Sequence, residues 1–392
     1  MRIGIYNEGE GSAIGGGEFC VATLASALSR EHDVEVIHHF DWLDRGEMSR
    51  TFGVSLDSVA MRYEQPNHVW FGASDLPWRR YLEERRWHAN LSRPYDLFVV
   101  FTHALPPFCC APVGALYIHF PGFDRHSLWP WAKDIGAPPG GFRNRLRRLY
   151  YEWDWRQRFA TYQIKLANSA FTQYWSRIWW DIEVGVLHPP SEGAFQLREK
   201  SNQILSVSRF APYKKQLEMV KAFSEISREA DGWEFKCAGG VVDRSYLEAV
   251  RNASAKTSAE IIESPDHTRL RELYERSSIF WHAMGYGVNQ WLNPVMAEHF
   301  GIVTVEAMSA GCVPVVINKG GQPEIVQHGV NGFLWESLDE LKEYTLLLIR
   351  DSELRLKMSD AARERAKTFG CQRFVGEFMQ HIQPYTKRHV RL

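Results

Sequence analysis

Short apolar segments alternate with helix-period stretches along almost the whole chain, and this alternation constrains the fold more than any other feature. RIGIY (2–6) and DLFVVF (96–101) are mainly apolar segments of strand length. The pattern restarts at ILSVSR (204–209) and continues through SIFWHA (278–283). Apolar strands that alternate with helices indicate parallel sheets covered on both faces, so the sequence predicts an α/β protein.

The chain length predicts two domains, because 392 residues exceed the roughly 250–300 at which a single core stops growing. The polar segment HPPSEGAFQLREKSNQ (188–203) precedes the restart of the strand pattern. We place the boundary there, which gives an N-terminal domain over 1–190 and a C-terminal domain over 191–370. Two doubly wound sheets predict a cleft at the carboxyl ends of their strands, where such sheets bind ligands.

Composition excludes several classes of protein. The chain has 46 basic and 47 acidic residues, so no bulk attraction toward nucleic acid is expected. The six cysteines have no CxxC spacing and are typical of reduced core residues in a cytosolic protein. No apolar run reaches the roughly 18 residues of a spanning helix, and no signal-peptide pattern opens the sequence. We therefore expect a cytoplasmic protein that does not cross a membrane.

Three glycines follow the first predicted strand and open the first predicted helix. Gly15, Gly16 and Gly17 precede apolar residues at helical spacing. A glycine loop before a helix lets backbone N–H groups approach a phosphate, aided by about half a positive charge at the helix N-terminus. Gly16 and Gly17 are therefore candidate phosphate-binding residues, with a tight turn that only needs glycine as the alternative.

Cations cluster after the first strand of the second domain. Arg209 ends this strand, and Lys214 and Lys215 stand in the following loop, at the start of an amphipathic helix. The planar fork of arginine and the point charge of lysine suit a diphosphate. Solvated surface charge is the alternative for each residue taken alone.

Two glutamates, Glu298 and Glu306, stand eight residues apart in the stretch EHFGIVTVEAMSAGCVPVV (298–316). Its middle, FGIVTV, looks like a buried strand. However, Gly311 is a typical helix-ending residue before the next apolar segment, so the sequence predicts a helix over about 302–310. The two carboxylates could then hold different hydroxyls of one ligand, or each could form a surface salt bridge.

The start of this predicted helix is a second candidate anion site. The backbone amides of Phe300, Gly301 and Ile302 would have no partners within the helix and would point into the cleft. Backbone N–H groups at a helix start favour a phosphate group.

These motifs resemble the E-x7-E signature of the retaining glycosyltransferases of family 4, which have the GT-B fold of two facing Rossmann-like domains. Further motifs occur in family order: GGGE, HFPG (119–122), SRFAPYKK (208–215), GGQPEI (320–325) and HGVNGFLW (328–335). The resemblance covers nearly the whole chain and is stronger in the second domain. It implies a GT-B architecture in which the last helix, within 371–392, returns to complete the first domain.

The resemblance implies a role for each candidate residue. Arg209 and Lys214 would bind the diphosphate of a nucleotide-sugar donor, and the turn at Gly16 would approach it from the other domain. Glu298 would hold hydroxyls of the donor sugar, and Glu306 would hold the ribose.

The resemblance also implies a chemistry. Family members place a histidine near the transferred sugar where His119 stands, a structural histidine being the alternative. Retention by front-side attack needs no side-chain nucleophile, and Glu298 as a nucleophile is the minority interpretation. No D-x-D triplet occurs, so we expect no metal and no cofactor, since arginine and lysine supply the positive charge.

The stretch FRNRLRRLYYEWDWRQRF (142–159) is a candidate acceptor-side surface. It carries six arginines and two acids, interleaved with aromatic residues, on a predicted helix. Such a helix suits an anionic membrane surface or a lipid-linked acceptor, which would place the protein peripherally on the inner face of a membrane. The alternative is a solvated helix with snorkelling arginines.

The motif arrangement looks most like that of the GDP-mannose-dependent α-1,2-mannosyltransferases that extend lipid-linked oligosaccharides. We therefore expect a retaining transferase that moves a hexose, with mannose favoured, from a nucleotide sugar to a glycan or lipid-linked acceptor. The alternatives are a UDP-hexose or UDP-HexNAc donor, a sugar-nucleotide epimerase, and a non-catalytic membrane-associated subunit. The aromatic insertion GYGVNQWLNP before Glu298 departs from the family pattern.

Overall fold

The computed structural model describes residues 1–9, 15–65, 77–125, 142–191, 193, 195–196 and 198–386. The chain forms two compact units. Met1–Leu187 and Val375–Leu392 make up the first unit, and His188–Phe374 makes up the second. The boundaries placed from the sequence, after 190 and before 371, lie three residues after Leu187 and four before Val375.

The first unit is built on a parallel sheet with helices between its strands. Its described elements are β1 Arg2–Asn7, α1 Gly16–Leu28, β2 Asp33–His38, α2 Arg45–Phe52, β3 Val59–Tyr63, α3 Pro77–Ser92, β4 Leu97–Thr102, β5 Val113–Ile118, α4 Phe142–Ala160, β6 Ile164–Ala167, α5 Ala170–Trp180 and β7 Gly185–Val186. The strand order is β3-β2-β1-β4-β5-β6-β7, and neighbouring strands run parallel.

The second unit repeats this architecture. Its described elements are β8 Ser201–Val207, α6 Gln216–Ile226, β9 Glu234–Gly239, α7 Arg244–Ser254, β10 Ala259–Glu263, α8 His267–Arg276, β11 Ser277–His282, α9 Ile302–Ser309, β12 Val313–Ile317, α10 Gln322–Ile325, β13 Phe333–Trp335, α11 Leu338–Arg350, α12 Ser352–Lys367 and the start of α13 Cys371–Thr386. The parallel order is β10-β9-β8-β11-β12-β13. The predicted α/β class with parallel sheets is confirmed.

Each sheet reverses its strand order at one point, and this determines where ligand-binding loops start. The reversal lies between β1 and β4 in the first sheet and between β8 and β11 in the second. Connections that leave two neighbouring strands in opposite directions open a crevice at the strands' carboxyl ends. Asn7 and Thr102 end the strands at the first crevice, and Val207 and His282 end those at the second.

The stretch around FGIVTV is a helix, as predicted. Helix α9 spans Ile302–Ser309, although its β-branched residues are poor helix formers. Val305 and Met308 are fully buried in the core of the second unit, and this tertiary burial outweighs the weak propensity. Gly301 precedes the helix with φ +113°, a conformation that glycine adopts without steric cost.

Pro314 lies in the central strand β12, where proline is unfavourable because it cannot donate a hydrogen bond. It pairs with Phe280 of β11. On the other side, pairing with β13 begins only at Val315 and Phe333. A Cβ on Gly332 would lie 2.5 Å from the Pro314 ring, so the bare glycine backbone accommodates the ring before β13 begins.

Helix α4 confirms the helix predicted over 142–159. The side chains of 142–148 and 151 lie outside the described set. Leu149, Trp153 and Arg156 are exposed, whereas Arg158 is buried. Both interpretations of this helix treated Arg158 as surface charge, and for this residue they are wrong. No helix in the described ranges combines the length and the apolarity needed to cross a bilayer.

Arg158 belongs to a buried ion cluster. Its guanidinium lies 3.0 Å from Asp154 Oδ2 and 3.1 Å from Glu84 Oε2, and it donates to the Pro106 carbonyl at 3.1 Å. Burial opposes the charge, but the two carboxylates outweigh it and raise the pKa of Arg158. The cluster ties α4 to α3 and to the loop after β4.

We expect Arg158→Met to lower the free energy of unfolding by about 3–5 kcal/mol, because it leaves the buried Asp154 carboxylate without its cation. Arg156→Met, two residues away on the exposed face of α4, is the control and should change stability by less than about 0.5 kcal/mol. Urea denaturation of both variants measures the difference. Equal effects would show that Arg158 is not internally paired.

Candidate functional site

The candidate site of the second unit lies at the carboxyl ends of β8 and β11. Lys214 ends a short 3₁₀ turn, Pro212–Lys214, in the loop after β8. His282 is the last residue of β11, and Glu298 lies in the long loop that follows. The structure brings the side chains of Lys214, His282 and Glu298 together at this crevice.

The three side chains meet at one carboxylate oxygen. Glu298 Oε2 lies 2.7 Å from Lys214 Nζ and 3.1 Å from His282 Nε2. The Lys214 and Glu298 side chains are only 15% and 20% exposed, and His282 is buried. Burial raises the pKa of Glu298, but the Lys214 charge and the His282 hydrogen bond outweigh it and hold this pKa well below its usual value. Glu298 is therefore ionised, and its ion pair is not a solvated surface bridge.

The loop after β8 is held by buried contacts, and Arg209 projects from it. Gln216 is fully buried, and its Nε2 donates to Ser208 Oγ and to the Arg209 carbonyl, both at 2.8 Å. A Cβ on Gly239 would lie 2.0 Å from the Ser208 carbonyl oxygen, so β9 ends directly against this loop. Within the described residues, the exposed Arg209 side chain forms no ion pair or hydrogen bond. It is available to an anionic ligand.

Two glycines clamp the backbone of Glu298. The Gly321 amide donates to the Glu298 carbonyl at 2.8 Å. Gly320 has φ +62°, and a Cβ there would lie 2.0 Å from the Glu298 carbonyl oxygen. A Cβ on Gly321 would lie 2.6 Å from the Phe300 Cα. The GGQPEI motif therefore serves to let one backbone lie directly on another.

The start of α9 carries unused hydrogen-bond donors. In the described part of the chain, the amides of Phe300, Gly301 and Ile302 donate no hydrogen bond. The Phe300 ring stacks on His188 at 5.3 Å between centroids, which holds the chain before the helix. The amides thus lack partners, as predicted, and their contact with a ligand stays a prediction.

Glu306 lies one turn into α9 and is held from the neighbouring helix. The Tyr274 hydroxyl donates to Glu306 Oε2 at 2.9 Å. Burial and the nearby Glu306 charge raise the pKa of Tyr274 well above its usual value, so its hydroxyl keeps its proton. Tyr274 therefore orients the Glu306 carboxylate.

The aromatic insertion GYGVNQWLNP before Glu298 forms hydrogen bonds with residues 319–320, next to the glycines that contact the Glu298 backbone. Lys319 Nζ donates to the Gly285 and Val288 carbonyls at 3.0 and 2.6 Å. The Gly320 amide donates to Gln290 Oε1 at 2.7 Å. The insertion is therefore an ordered part of the site's frame.

In the first unit, the structure brings the glycine turn and His119 together. A Cβ on Gly17 would lie 3.2 Å from His119 Nε2, and Gly16 begins α1. The Gly15 amide donates to Glu18 Oε2 at 2.7 Å, which fixes the turn. Residues 10–14 lie outside the described residues. Whether this group and the second unit's site share one cleft stays a prediction.

Sequence reasoning missed His282 and Tyr274. His282 had a usable signal, because it is the only charged or titratable side chain in the strand SIFWHA and stands at its carboxyl end. Tyr274 had none, because its contact with Glu306 spans 32 residues and depends on how α8 packs on α9.

Comparisons with known proteins agree with this architecture. Residues 191–365 match the family model described as glycosyl transferases group 1. A GDP-Man:Man(3)GlcNAc(2)-PP-Dol alpha-1,2-mannosyltransferase from Dictyostelium discoideum is 25% identical, over 71% of this chain and 60% of its own. An N-acetyl-alpha-D-glucosaminyl L-malate synthase from Bacillus anthracis is 26% identical, over 47% of this chain and 46% of its own. The chain thus spans about half to three-fifths of the length of these relatives.

The crystal structure of HepE from Anabaena, in complex with UDP and glucose, is similar over 98% of this chain and 100% of its own, with a TM-score of 0.66 and 17% identity. At this identity the likeness shows the fold alone. Together with the two parallel sheets, it confirms the predicted GT-B class.

We expect Gly320→Ala to destabilise the second unit more than Gly329→Ala. Both glycines have positive φ, +62° and +75°, so alanine costs about 1–2 kcal/mol at either position. No atom lies within 4 Å of a Cβ at Gly329, whereas one at Gly320 meets the Glu298 carbonyl. Overpacking should add about 1–3 kcal/mol. Urea denaturation measures both variants, and equal losses would contradict the clamp.

We expect Glu298→Gln to lower the free energy of unfolding by about 1.5–3 kcal/mol at neutral pH, the usual contribution of hydrogen bonds to a charged group. Because the folded pKa of Glu298 is lowered, this stabilisation is complete above the unfolded pKa of about 4.3 and is lost as the pH falls through the folded pKa. The difference from wild type should therefore shrink only below about pH 4. Glu234→Gln, at an exposed carboxylate, is the control for denaturation series across pH.

Proposed function

We propose that this protein, a family 4-like chain of GT-B fold with a glycosyl transferases group 1 domain at residues 191–365, transfers a hexose from a nucleotide sugar to an acceptor hydroxyl. The observation that carries the proposal is the contact between a cation and an ionised carboxylate at this crevice, just before a helix start whose amides donate no hydrogen bond among the described residues. Lys214, Glu298 and Gly301 represent these three groups. A sugar diphosphate needs all three kinds of contact, because it carries both anionic oxygens and neutral hydroxyls.

In this proposal the donor lies along the carboxyl edge of the second sheet. Arg209, Lys214 and the amides of 300–302 bind the diphosphate. Glu298 accepts a hydrogen bond from a sugar hydroxyl, and Glu306, oriented by Tyr274, accepts from the ribose. The exposed position of Arg209 supports this role, since its planar fork can close on phosphate oxygens without breaking an ion pair to any described residue.

The reaction is a front-side displacement that retains the anomeric configuration. The acceptor oxygen forms a bond to the anomeric carbon while the bond from that carbon to the diphosphate oxygen breaks, and the electron pair leaves with the diphosphate. The acceptor's proton passes to a leaving phosphate oxygen. Arg209, Lys214 and the α9 amides stabilise the negative charge that grows on the diphosphate. No metal or other cofactor is part of this proposal.

His119, Gly16 and Gly17 belong to the acceptor side of the proposal. The Gly17 Cα faces the His119 ring so closely that a Cβ would contact it. In the proposal the ring lies near the transferred sugar, and the glycine turn admits the diphosphate without a side chain in the way.

GDP-mannose is the favoured donor, because two relatives that match 71% and 60% of this chain are named as GDP-Man transferases. UDP-hexose or UDP-HexNAc is the alternative, favoured by the UDP and glucose named with HepE. A lipid-linked or glycan acceptor is proposed on the same likeness. An epimerase would release no nucleoside diphosphate on addition of acceptor, and a non-catalytic subunit would bind no donor.

An anionic membrane surface is the proposed location, at the cytoplasmic face. Leu149, Trp153 and Arg156 stand at helical spacing on α4 and are exposed, a combination of apolar, aromatic and basic side chains that suits a lipid interface. The burial of Arg158 removes one arginine from this surface.

The test is nucleoside diphosphate release from GDP-mannose and UDP-glucose, with Lys214→Met compared with Lys221→Met. Loss of one donor to the leaving diphosphate should lower kcat by about 10²–10³-fold. Lys221 is exposed on the same loop-helix segment, and its variant should keep wild-type turnover. A Lys214→Met protein that folds and turns over like wild type would exclude the mechanism.

A further inference from the structure

The Glu298 carboxylate is held asymmetrically. Lys214 and His282 both contact Oε2, at 2.7 and 3.1 Å. Within the described residues, Oε1 of Glu298 accepts no hydrogen bond, and it is not among the buried polar atoms. One oxygen of the carboxylate is therefore fully used by the protein, and the other remains available to a ligand.

The contact fixes the proton position on His282. Because Glu298 Oε2 is a carboxylate acceptor, His282 Nε2 must carry the hydrogen. His282 Nδ1 is buried and has no hydrogen-bond partner in the described part of the chain. An unpartnered lone pair at Nδ1 is less costly than an unpartnered N–H, so a ring with its hydrogen on Nε2 fits this environment.

His282 is better suited than Lys214 to set the direction of the carboxylate. Lysine carries a point charge on a flexible stem with rotatable donors. The imidazole is planar, only 3% exposed, and attached to a sheet residue paired with Val316. The Glu298 backbone is itself held by Gly321. With the backbone and one donor both fixed, the carboxylate plane is fixed as well.

We propose that His282 is a positioning residue that turns the Glu298 carboxylate so that Oε1 meets a hydroxyl of the sugar being transferred. This inference rests on the proposed function, because it assigns the sugar part of the nucleotide-sugar donor to Oε1. The inference separates recognition of the sugar from recognition of the diphosphate. His282 acts on the sugar through Glu298, whereas the diphosphate contacts do not involve it.

The test uses three substitutions at 282 in the full chain. His282→Leu removes the donor at similar bulk. His282→Asn keeps a polar side chain too short to reach Glu298, and serves if the leucine variant does not fold. His282→Gln places an amide N–H near the position of the imidazole Nε2–H. Ser278→Ala is the control, because it removes another side-chain hydrogen bond of β11, from the buried Ser278 Oγ to the Ser201 carbonyl at 2.6 Å.

Two quantities are measured for each variant: the Kd of the nucleoside diphosphate (GDP or UDP), and kcat/KM for the nucleotide sugar (GDP-mannose or UDP-glucose). His282→Leu and His282→Asn should lower kcat/KM for the nucleotide sugar by about 10–100-fold and leave the nucleoside diphosphate Kd within about twofold. His282→Gln should recover most of the loss. Ser278→Ala should change neither quantity, even if it lowers the Tm.

A double-mutant cycle tests whether His282 acts through Glu298. In a Glu298→Gln background, adding His282→Leu should cause little further loss, because the oriented carboxylate is already gone. Additive losses would overturn the inference, as would an equal loss of nucleoside diphosphate binding or wild-type kinetics in His282→Leu. If the wild-type protein binds none of the nucleotide sugars, the proposed function itself fails and the inference falls with it.

Discussion

The ion pair between Lys214 and Glu298 is the interaction on which the candidate site depends. Both charges lie where little water reaches them, and leaving either one without its partner costs about 1.5–3 kcal/mol. Each charge therefore requires the other for as long as the site is empty. Because Lys214 follows β8 and Glu298 follows β11, the pair also joins the two loops that leave the strand-order reversal in opposite directions. An electrostatic requirement thus determines the relative position of two irregular segments.

Close backbone contacts, like the ion pair, help to fix the positions of the loops after β8 and β11. Gly239 lets β9 end against Ser208, and Gly320 lets its loop lie on the Glu298 carbonyl. A side chain at either position would separate segments that now touch. The result is a close-packed frame in which the amides at the start of α9 have no hydrogen-bond partner among the described residues. Those amides can remain unpaired because they lie at a helix start, where the helix itself supplies no acceptors.

Much of this arrangement could be predicted from the sequence, because its signals are local. Apolar runs indicated most strands of both sheets, and Gly311 indicated that α9 is a helix. Strand β3 at Val59–Tyr63 is a half-exposed edge strand without a continuous apolar run, and the apolar run of β13, Phe333–Trp335, has only three residues. The internal role of Arg158 could not be predicted either, since Glu84 lies 74 residues away. The pairing of Tyr274 with Glu306 depends on long-range packing in the same way.

The proposed function also gives a reason for the second donor to Glu298. In the proposed function, a diphosphate competes for the Lys214 ammonium, because its oxygens carry more negative charge than one carboxylate. As the ammonium turns toward the diphosphate, Glu298 loses part of its charge partner at the moment it has to hold the sugar. His282 cannot leave with the lysine, because its ring is buried and attached to β11. We infer that the histidine keeps the carboxylate oriented in the loaded site, whereas the lysine dominates in the empty one.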